Sequence, residues 1–263
     1  MDIEEHFTNE CKIRYEKYPN GDIYIGGKKN NLKEGYGKYF YSTGKRYVGQ
    51  FKNDKKEVGV EKYPNGDVYI GEFKNDLREG IGIYSSLNYG TRYQGEFKNG
   101  LKHGYRIQYF PNGIRYEGEF KNNQIDGFGF HLFSNGNKYI GEFKNCYKEG
   151  FGIQYFSDGC RYIGMFNKGK KEGNRILYYP NGDKYKGNFK NDKSDGYGIL
   201  YLSDGAIYEG EFKNNYLEGY GIFKEYSGDK YEGEFKKSKR DGIGKIFFLK
   251  EIYMKESLKI IWK

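Results

Sequence analysis

The 263-residue sequence predicts an all-β chain built as an array of β-hairpins. Three observations lead there: a repeat of about 23 residues, apolar alternation with period two, and turn dipeptides at a fixed place in the repeat. The segments YEGEFKNNQIDGFGF (Tyr116 to Phe130), YIGEFKNCYKEGFGI (Tyr139 to Ile153) and YEGEFKNNYLEGYGI (Tyr208 to Ile222) are nearly the same text. With the Tyr of each Tyr-x-Gly taken as position 1, ten repeats start at Tyr24, Tyr47, Tyr69, Tyr93, Tyr116, Tyr139, Tyr162, Tyr185, Tyr208 and Tyr231. Their spacing is 23 residues, apart from one interval of 22 and one of 24.

The chain divides accordingly. Residues 1–23 end as a partial repeat or cap, 24–252 form the array, and 253–263 form a C-terminal cap or dimerisation tail. Within a repeat, Tyr, Gly and Phe at positions 1, 3 and 5 alternate with mostly charged residues, which reads as a half-buried strand over positions 1–6. Positions 13, 15 and 17 (Phe151, Ile153, Tyr155 in one copy) give a second strand, with a turn over 7–12 between them. Asn-Gly or Asp-Gly at positions 20–21, as at Asn135-Gly136 and Asp158-Gly159, closes the hairpin onto the next. All four prolines sit at position 19, where a strand that cannot lose a ladder donor must already have ended. Setting position 5 opposite 13, 3 opposite 15 and 1 opposite 17 puts every apolar residue on one face. Tyr93, Phe97, Tyr116, Phe120, Phe128, Tyr139, Phe143 and Phe151 are then expected on one aromatic surface, open to a protein partner. Glu119, Lys121, Glu142 and Lys144 are expected on the other face.

Net charge is +9, and much of it is laddered. Lys98, Lys121, Lys144, Lys190 and Lys213 recur at position 6, beside acidic ladders at positions 4 and 11. Two readings stay open: a solvated, salt-bridged face, or a basic surface for an acidic partner or an anionic phospholipid membrane. Cys146 and Cys160 fall in turns at opposite edges of the hairpin, too far apart to bridge, so both read as free thiols of a reducing compartment. The apolar residues are dispersed among charged ones, without the long run that a spanning helix needs.

Chemistry is not expected. His6, His103 and His131 are scattered and do not recur with the repeat, so no metal site is predicted. The acidic-Gly turns lack the carboxylate density of a calcium loop. Gly-x-Gly leads into a strand rather than a helix, so it does not cradle phosphate. No serine or cysteine carries the surroundings of a nucleophile. The prediction is a non-enzyme without cofactor. Aromatics at strict period two read as packing rather than as a nucleic-acid platform.

Tyr-x-Gly-x-Phe-Lys-Asn, followed by Glu/Asp-Gly-x-Gly and then Asn/Asp-Gly, resembles the MORN repeat (membrane occupation and recognition nexus) from residue 24 to about 248. Val58, Arg106 and Arg175 depart from the pattern. The resemblance implies an elongated, single-layer, twisted antiparallel sheet of about ten stacked MORN hairpins. For function it implies a cytoplasmic scaffold or protein-binding module of a cytoskeletal, ciliary or membrane-associated assembly. Its alternative is a peripheral adaptor for anionic lipid. It also implies self-association through the last repeats. Phe247, Phe248, Ile260, Ile261 and Trp262 are the residues expected there, as a cap on the chain's own sheet, a homodimer contact or a membrane-touching tail, because a hairpin array ends in an unpaired edge.

Overall fold

The computed structural model describes residues 12–249, which form strands and turns in two compact units. The first unit (Met1–Ser134) holds β1 (Lys12–Lys17), β2 (Ile23–Lys29), β3 (Leu32–Phe40), β4 (Arg46–Lys52), β5 (Lys55–Lys62), β6 (Val68–Lys74), β7 (Leu77–Ser86), β8 (Thr91–Lys98), β9 (Leu101–Tyr109), β10 (Arg115–Lys121) and β11 (Gln124–Leu132). The second (Asn135–Lys263) holds β12 (Lys138–Lys144), β13 (Tyr147–Tyr155), β14 (Arg161–Asn167), β15 (Lys170–Tyr178), β16 (Lys184–Lys190), β17 (Lys193–Tyr201), β18 (Ile207–Lys213), β19 (Tyr216–Lys224), β20 (Lys230–Lys236) and β21 (Lys239–Phe247). In each unit every strand pairs antiparallel with the next, giving a single-layer meander of hairpins.

The hairpins are tighter than expected. The turn occupies only positions 7–8, and the second strand begins at position 9. Asn53 and Asp54, with φ of 47° and 69°, are typical of the pair: both central residues are left-handed, the geometry whose twist matches the flanking strands. The extra residues sit instead in a bulge. Gly141 pairs with Gly152 and Phe143 with Lys148, so Glu142 alone faces Glu149, Gly150 and Phe151. Gly150, at position 12, makes the bulge possible with φ of 60°. The 22-residue repeat has lost this residue: Gly49 still pairs with Gly59 and Phe51 with Lys56, leaving two residues in the bulge instead of three. Each of the ten hairpins carries such a register shift.

The bulge corrects the expected register. Position 1 pairs with 16, 2 with 15 and 3 with 14, as in Tyr139–Gln154, Ile140–Ile153 and Gly141–Gly152. Positions 13 and 15 therefore point away from the rings. Phe128 and Phe151 lie on the opposite face from Tyr116, Phe120, Tyr139 and Phe143, and are 52% and 46% exposed.

The core is a ring ladder on one face. The position-1 tyrosines of the first nine repeats are at most 1% exposed. In eight repeats the ring lies flat over a pair of glycines, at positions 3 and 14 or the equivalent place in the 22-residue repeat, while Arg106 and Arg175 replace the second glycine in the other two. A Cβ on Gly141 would meet the Gly152 Cα and the Tyr139 hydroxyl, both at 2.6 Å. The hydroxyl then donates to the carbonyl of position 4, as Tyr139 does to Glu142 at 3.0 Å and Tyr208 to Glu211 at 3.0 Å. That carbonyl sits in the bulge. The bond recurs in all ten repeats. Phe at position 5 meets two tyrosines edge-on, its own and that of the preceding repeat: Phe166 lies 5.2 Å from Tyr162 and 5.0 Å from Tyr139.

Within each unit, turns also clip one repeat to the next. The position-11 carboxylate accepts from the position-7 N–H of the following repeat, as Glu149 does from Lys168 at 2.9 Å. The position-8 side chain accepts from the preceding position-10 N–H, as Asp192 does from Lys171 at 2.8 Å. At the other edge, Asp183 accepts from the Ser203 N–H at 2.8 Å.

Two substitutions test this packing. Phe166→Ala removes a ring that touches two buried tyrosines and should cost about 3–5 kcal/mol in urea unfolding. Tyr139→Phe keeps the ring and strands a buried carbonyl, and should cost about 1–3 kcal/mol. Equal losses from the two would mean that the hydroxyl, not the ring, dominates the site.

Candidate interaction surfaces

The ring face is closed. Tyr93, Phe97, Tyr116, Phe120, Tyr139 and Phe143 are between 0% and 5% exposed, so they offer almost no ring surface to a partner. The lid over them is partly a row of cations at position 10, which the sequence reading did not single out. Lys102 Nζ lies 5.0 Å from the Tyr93 ring centroid, and Lys148 Nζ 4.9 Å from that of Phe166. Arg78 sits 5.3 Å over Phe97, and Lys171 5.5 Å over Phe189. These are cation–π distances. The lysine stems cover apolar surface of the rings beneath them. The signal was present as a basic residue every 23 positions, broken at Ile125, Ser194 and Leu217.

Burial sets the electrostatics of this row. It lowers the Lys102 ammonium to about 8, with Arg78 adding repulsion, while the Gln108 amide oxygen accepts its proton at 2.9 Å. Burial also lowers Lys148 and Lys171. Lys56 has a carboxylate partner: Glu61 lies 2.8 Å away, and both side chains are buried. Burial pushes the Glu61 carboxyl up, but Lys56 and the Tyr63 hydroxyl outweigh it and hold the group below its ordinary value. Tyr93 is pushed up to about 12, chiefly by burial.

The opposite face is open and carries the apolar side chains that the rings do not use. Positions 2 and 15 pair directly across successive strands. In the first unit Val48, Val60, Ile70 and Ile83 form one such row. In the second, Ile140, Ile153, Ile163 and Ile176 form another. Position 13 flanks them with half-exposed groups, among them Tyr36, Ile81, Tyr105, Tyr197 and Tyr220. The surface able to meet a protein is thus this face, and of the eight expected aromatics only Phe128 and Phe151 belong to it.

The position-6 lysines line the hairpin-turn edge. Lys98, Lys121, Lys144, Lys190 and Lys213 are all exposed, and Lys213 is 3.5 Å from Asp195. At the C-terminal end, β21 pairs with β20 through Lys230–Phe247 and Gly233–Gly244. Ile243, Ile246 and Phe248 there are 87%, 52% and 48% exposed, and Phe247 is half-buried. Ile260, Ile261 and Trp262 lie outside the described residues, as does His6. His131 stacks at 4.1 Å on Phe133 and meets Tyr116 edge-on at 6.0 Å, which makes it part of the ring packing. Cys146 and Cys160 are free thiols.

The lysine row has a pH consequence. A lysine whose folded pKa is depressed is harder to charge in the fold than in the unfolded chain, so the fold gains stability as pH rises from about 8 toward the ordinary lysine value. The buried tyrosines have the opposite sign. Their contribution is complete below pH about 10 and is lost as unfolded phenols ionise above it. Urea midpoints of the intact chain should therefore rise between about pH 8 and 10 and fall above 10. Lys102→Met should reduce the rise and leave the fall.

The profile described as the MORN repeat matches residues 24–46, 47–68, 69–91, 93–115, 116–138, 139–161, 162–184, 185–207, 208–230 and 231–248. No curated protein sequence matches the chain. Among solved structures, the TCP domain of SAS-4 from Drosophila melanogaster, in complex with a proline-rich motif of Ana2, is similar at 19% identity and a TM-score of 0.37, over 70% of this chain and 94% of that one. The TCP10c domain of Sas-4 from the same organism is similar at 13% identity and a TM-score of 0.17, over 89% and 98%. An inactive virginiamycin B lyase from Staphylococcus aureus is similar at 12% identity and a TM-score of 0.16, over 92% and 86%. Likenesses at this level carry no inference about what the chain does.

Proposed function

The chain belongs to the MORN-repeat family, and from that premise we propose that it is a non-enzymatic protein-binding scaffold of a cytoplasmic assembly associated with the cytoskeleton, a cilium or a membrane. MORN repeats are interaction modules. The observation that carries the reading is the division of labour between the faces. The ring face buries its own aromatics, so the chain folds without a partner. The opposite face leaves β-branched rows and half-exposed aromatics uncovered. Such a surface is larger than solvation alone favours and suits a protein partner. Affinity purification of the intact chain from its native cells, with quantitative mass spectrometry, tests it. Recovery of a stoichiometric partner set supports the scaffold, and recovery of no enriched protein sinks it.

Self-association is the finer form of this proposal. The exposed Ile243 and Ile246 on the last described strand, with Phe248 just after it, support a dimer joined through the final repeats. The intact chain should then run as a dimer by light scattering, and deletion of residues 254–263 should give a stable monomer. A monomeric intact chain at high micromolar concentration removes the dimer. A lowered melting temperature on truncation then identifies a cap.

A second reading has its own observation. Lys98, Lys121, Lys144 and Lys190 are exposed and, among the described residues, without an ion-paired carboxylate. Lys98 and Lys121 in the first unit, and Lys144 and Lys190 in the second, each give their unit a basic edge for anionic headgroups at about 1 kcal/mol per lysine. Flotation with phosphatidylserine vesicles that falls steeply with salt supports this lipid reading, and salt-insensitive or absent flotation rejects it.

A further inference from the structure

Two repeats replace the position-14 glycine with arginine, and the structure treats them differently. In the first unit, Arg106 reaches the position-4 carboxylate of its own repeat, with Nη2 2.6 Å from Glu96 Oε1. In the second unit, Arg175 has no such acid, because position 4 of its repeat is Met165. Position 4 of the next repeat, Glu in most copies, is Asn188. Arg175 is exposed, and the bond it makes is from Nη1 to the Asn174 carbonyl at 2.7 Å.

The same stretch lacks its ring at position 13. Phe151 holds that place in the preceding repeat and Tyr197 in the following one, while here it is Asn174. The missing ring leaves an open depression of about 320 Å³ on the outer face. Phe151, Ile163 and Ile176 give it apolar walls, and Arg175 and Lys186 border it. Ile163 pairs with Ile176, and Ile176 with Lys186, so the isoleucine row runs straight into a cation. The nearby acids are engaged by backbone: Glu142 accepts from the Phe151 N–H at 3.1 Å and Glu172 from the Asn191 N–H at 3.2 Å.

Taking the protein-binding reading as given, we propose that this depression is a docking site for a partner peptide that presents one large apolar side chain flanked by carboxylates. The apolar side chain occupies the space left by the missing ring and rests on Ile163 and Ile176. A neighbouring carboxylate takes with Arg175 the place that Glu96 takes with Arg106, and a second faces Lys186. A guanidinium without an acid selects the carboxylate, which it can hold through two N–H groups. A basic peptide is rejected by the two cations and gains nothing from the apolar walls that an acidic one would not. The observations favour a peptide over a membrane, because a recess matches a single inserted side chain.

The test uses the intact chain and the fluorescein-labelled peptide GEDFDEG, read by anisotropy, with GEDADEG and GKKFKKG as controls. GEDFDEG should bind at least about tenfold more tightly than either control. Met165→Glu supplies Arg175 with an internal acid, and Asn174→Phe refills the depression. Both introduce residues that other repeats carry at those positions, so melting temperatures should stay near that of the unaltered chain. Each should weaken GEDFDEG binding about tenfold or more. No saturable binding up to about 1 mM peptide, equal binding of the basic control, or unchanged affinity in both variants overturns the site. That failure is separable from failure of the scaffold reading. If the partner set recovered from cells is the same for the unaltered chain and both variants, the scaffold stands and this site does not carry it.

Discussion

The fold depends on one contact, a tyrosine ring laid over a pair of glycines with its hydroxyl donating into a bulge. Each part requires the others. The ring can lie flat only because Gly141 and Gly152 bring no Cβ beneath it, and a Cβ on either would fall within 2.7 Å of the ring's own atoms. The hydroxyl has a buried acceptor only because the hairpin sets Glu142 alone against three residues, which turns its carbonyl toward the ring face. The three-residue form of the bulge uses Gly150 in a left-handed conformation to absorb the extra length, while the 22-residue repeat makes a two-residue bulge without it. Phenylalanine then joins neighbouring tyrosines edge to edge, and a core forms on a sheet that has no second layer. A single sheet would otherwise leave its apolar face wet. Here the rings bury one another.

This arrangement explains which parts of the fold were legible in the sequence. The period, the hairpins and the tight turns follow from backbone chemistry that recurs in register: Tyr-x-Gly-x-Phe, Asn-Gly, and proline before the turn. The family and the single-layer antiparallel sheet could be read from them. The register could not. Alternation in the second strand marks Phe151 and Ile153 as apolar, and the natural inference sets them beside Phe143. The residues that face the rings from that strand are instead Gly152 and Gln154, which carry no hydrophobic signal. Other copies do carry an apolar residue at position 16, such as the buried Leu177, so the signal for the packed face was present but uneven from repeat to repeat. The bulge compounded this by shifting the second strand without changing the repeat length.

The cation row went unnoticed for a related reason. Lys171 looks in the sequence like an ordinary member of a basic ladder, because its neighbours Lys170 and Glu172 are charged, and Lys102 follows Leu101 in a turn-edge segment with no Phe, Tyr or Trp beside it. Only the shortened turn brings position 10 opposite position 5 and so onto the rings. The lysines highlighted from the sequence, at position 6, point to solvent at the turn edge. Two ladders of equal prominence in the text thus end in different dielectric surroundings: one is held over aromatic faces with its charge destabilised, and the other is free to exchange partners with water.

A core that closes repeat by repeat frees the outer face to vary. Nothing in the ring ladder constrains positions 2, 4, 13 and 15 beyond a fit to the pleat. Changes such as Met165, Asn174, Asn188 and Lys186 therefore cost the fold little. Arg175 is the informative exception, since position 14 lies under the tyrosine. Its Cβ and Cγ occupy the space beside Gly164 that a second glycine would leave open, and in this repeat the usual pairing of positions 3 and 14 is absent from the ladder. Arg106 imposes the same disturbance and is neutralised by Glu96. At Arg175 the same backbone change accompanies an uncompensated charge and a missing ring. In an array whose repeats otherwise restate one packing solution, Met165, Asn174 and Lys186 vary on the face that folding leaves open, whereas Arg106 and Arg175 also change the packing beneath a tyrosine.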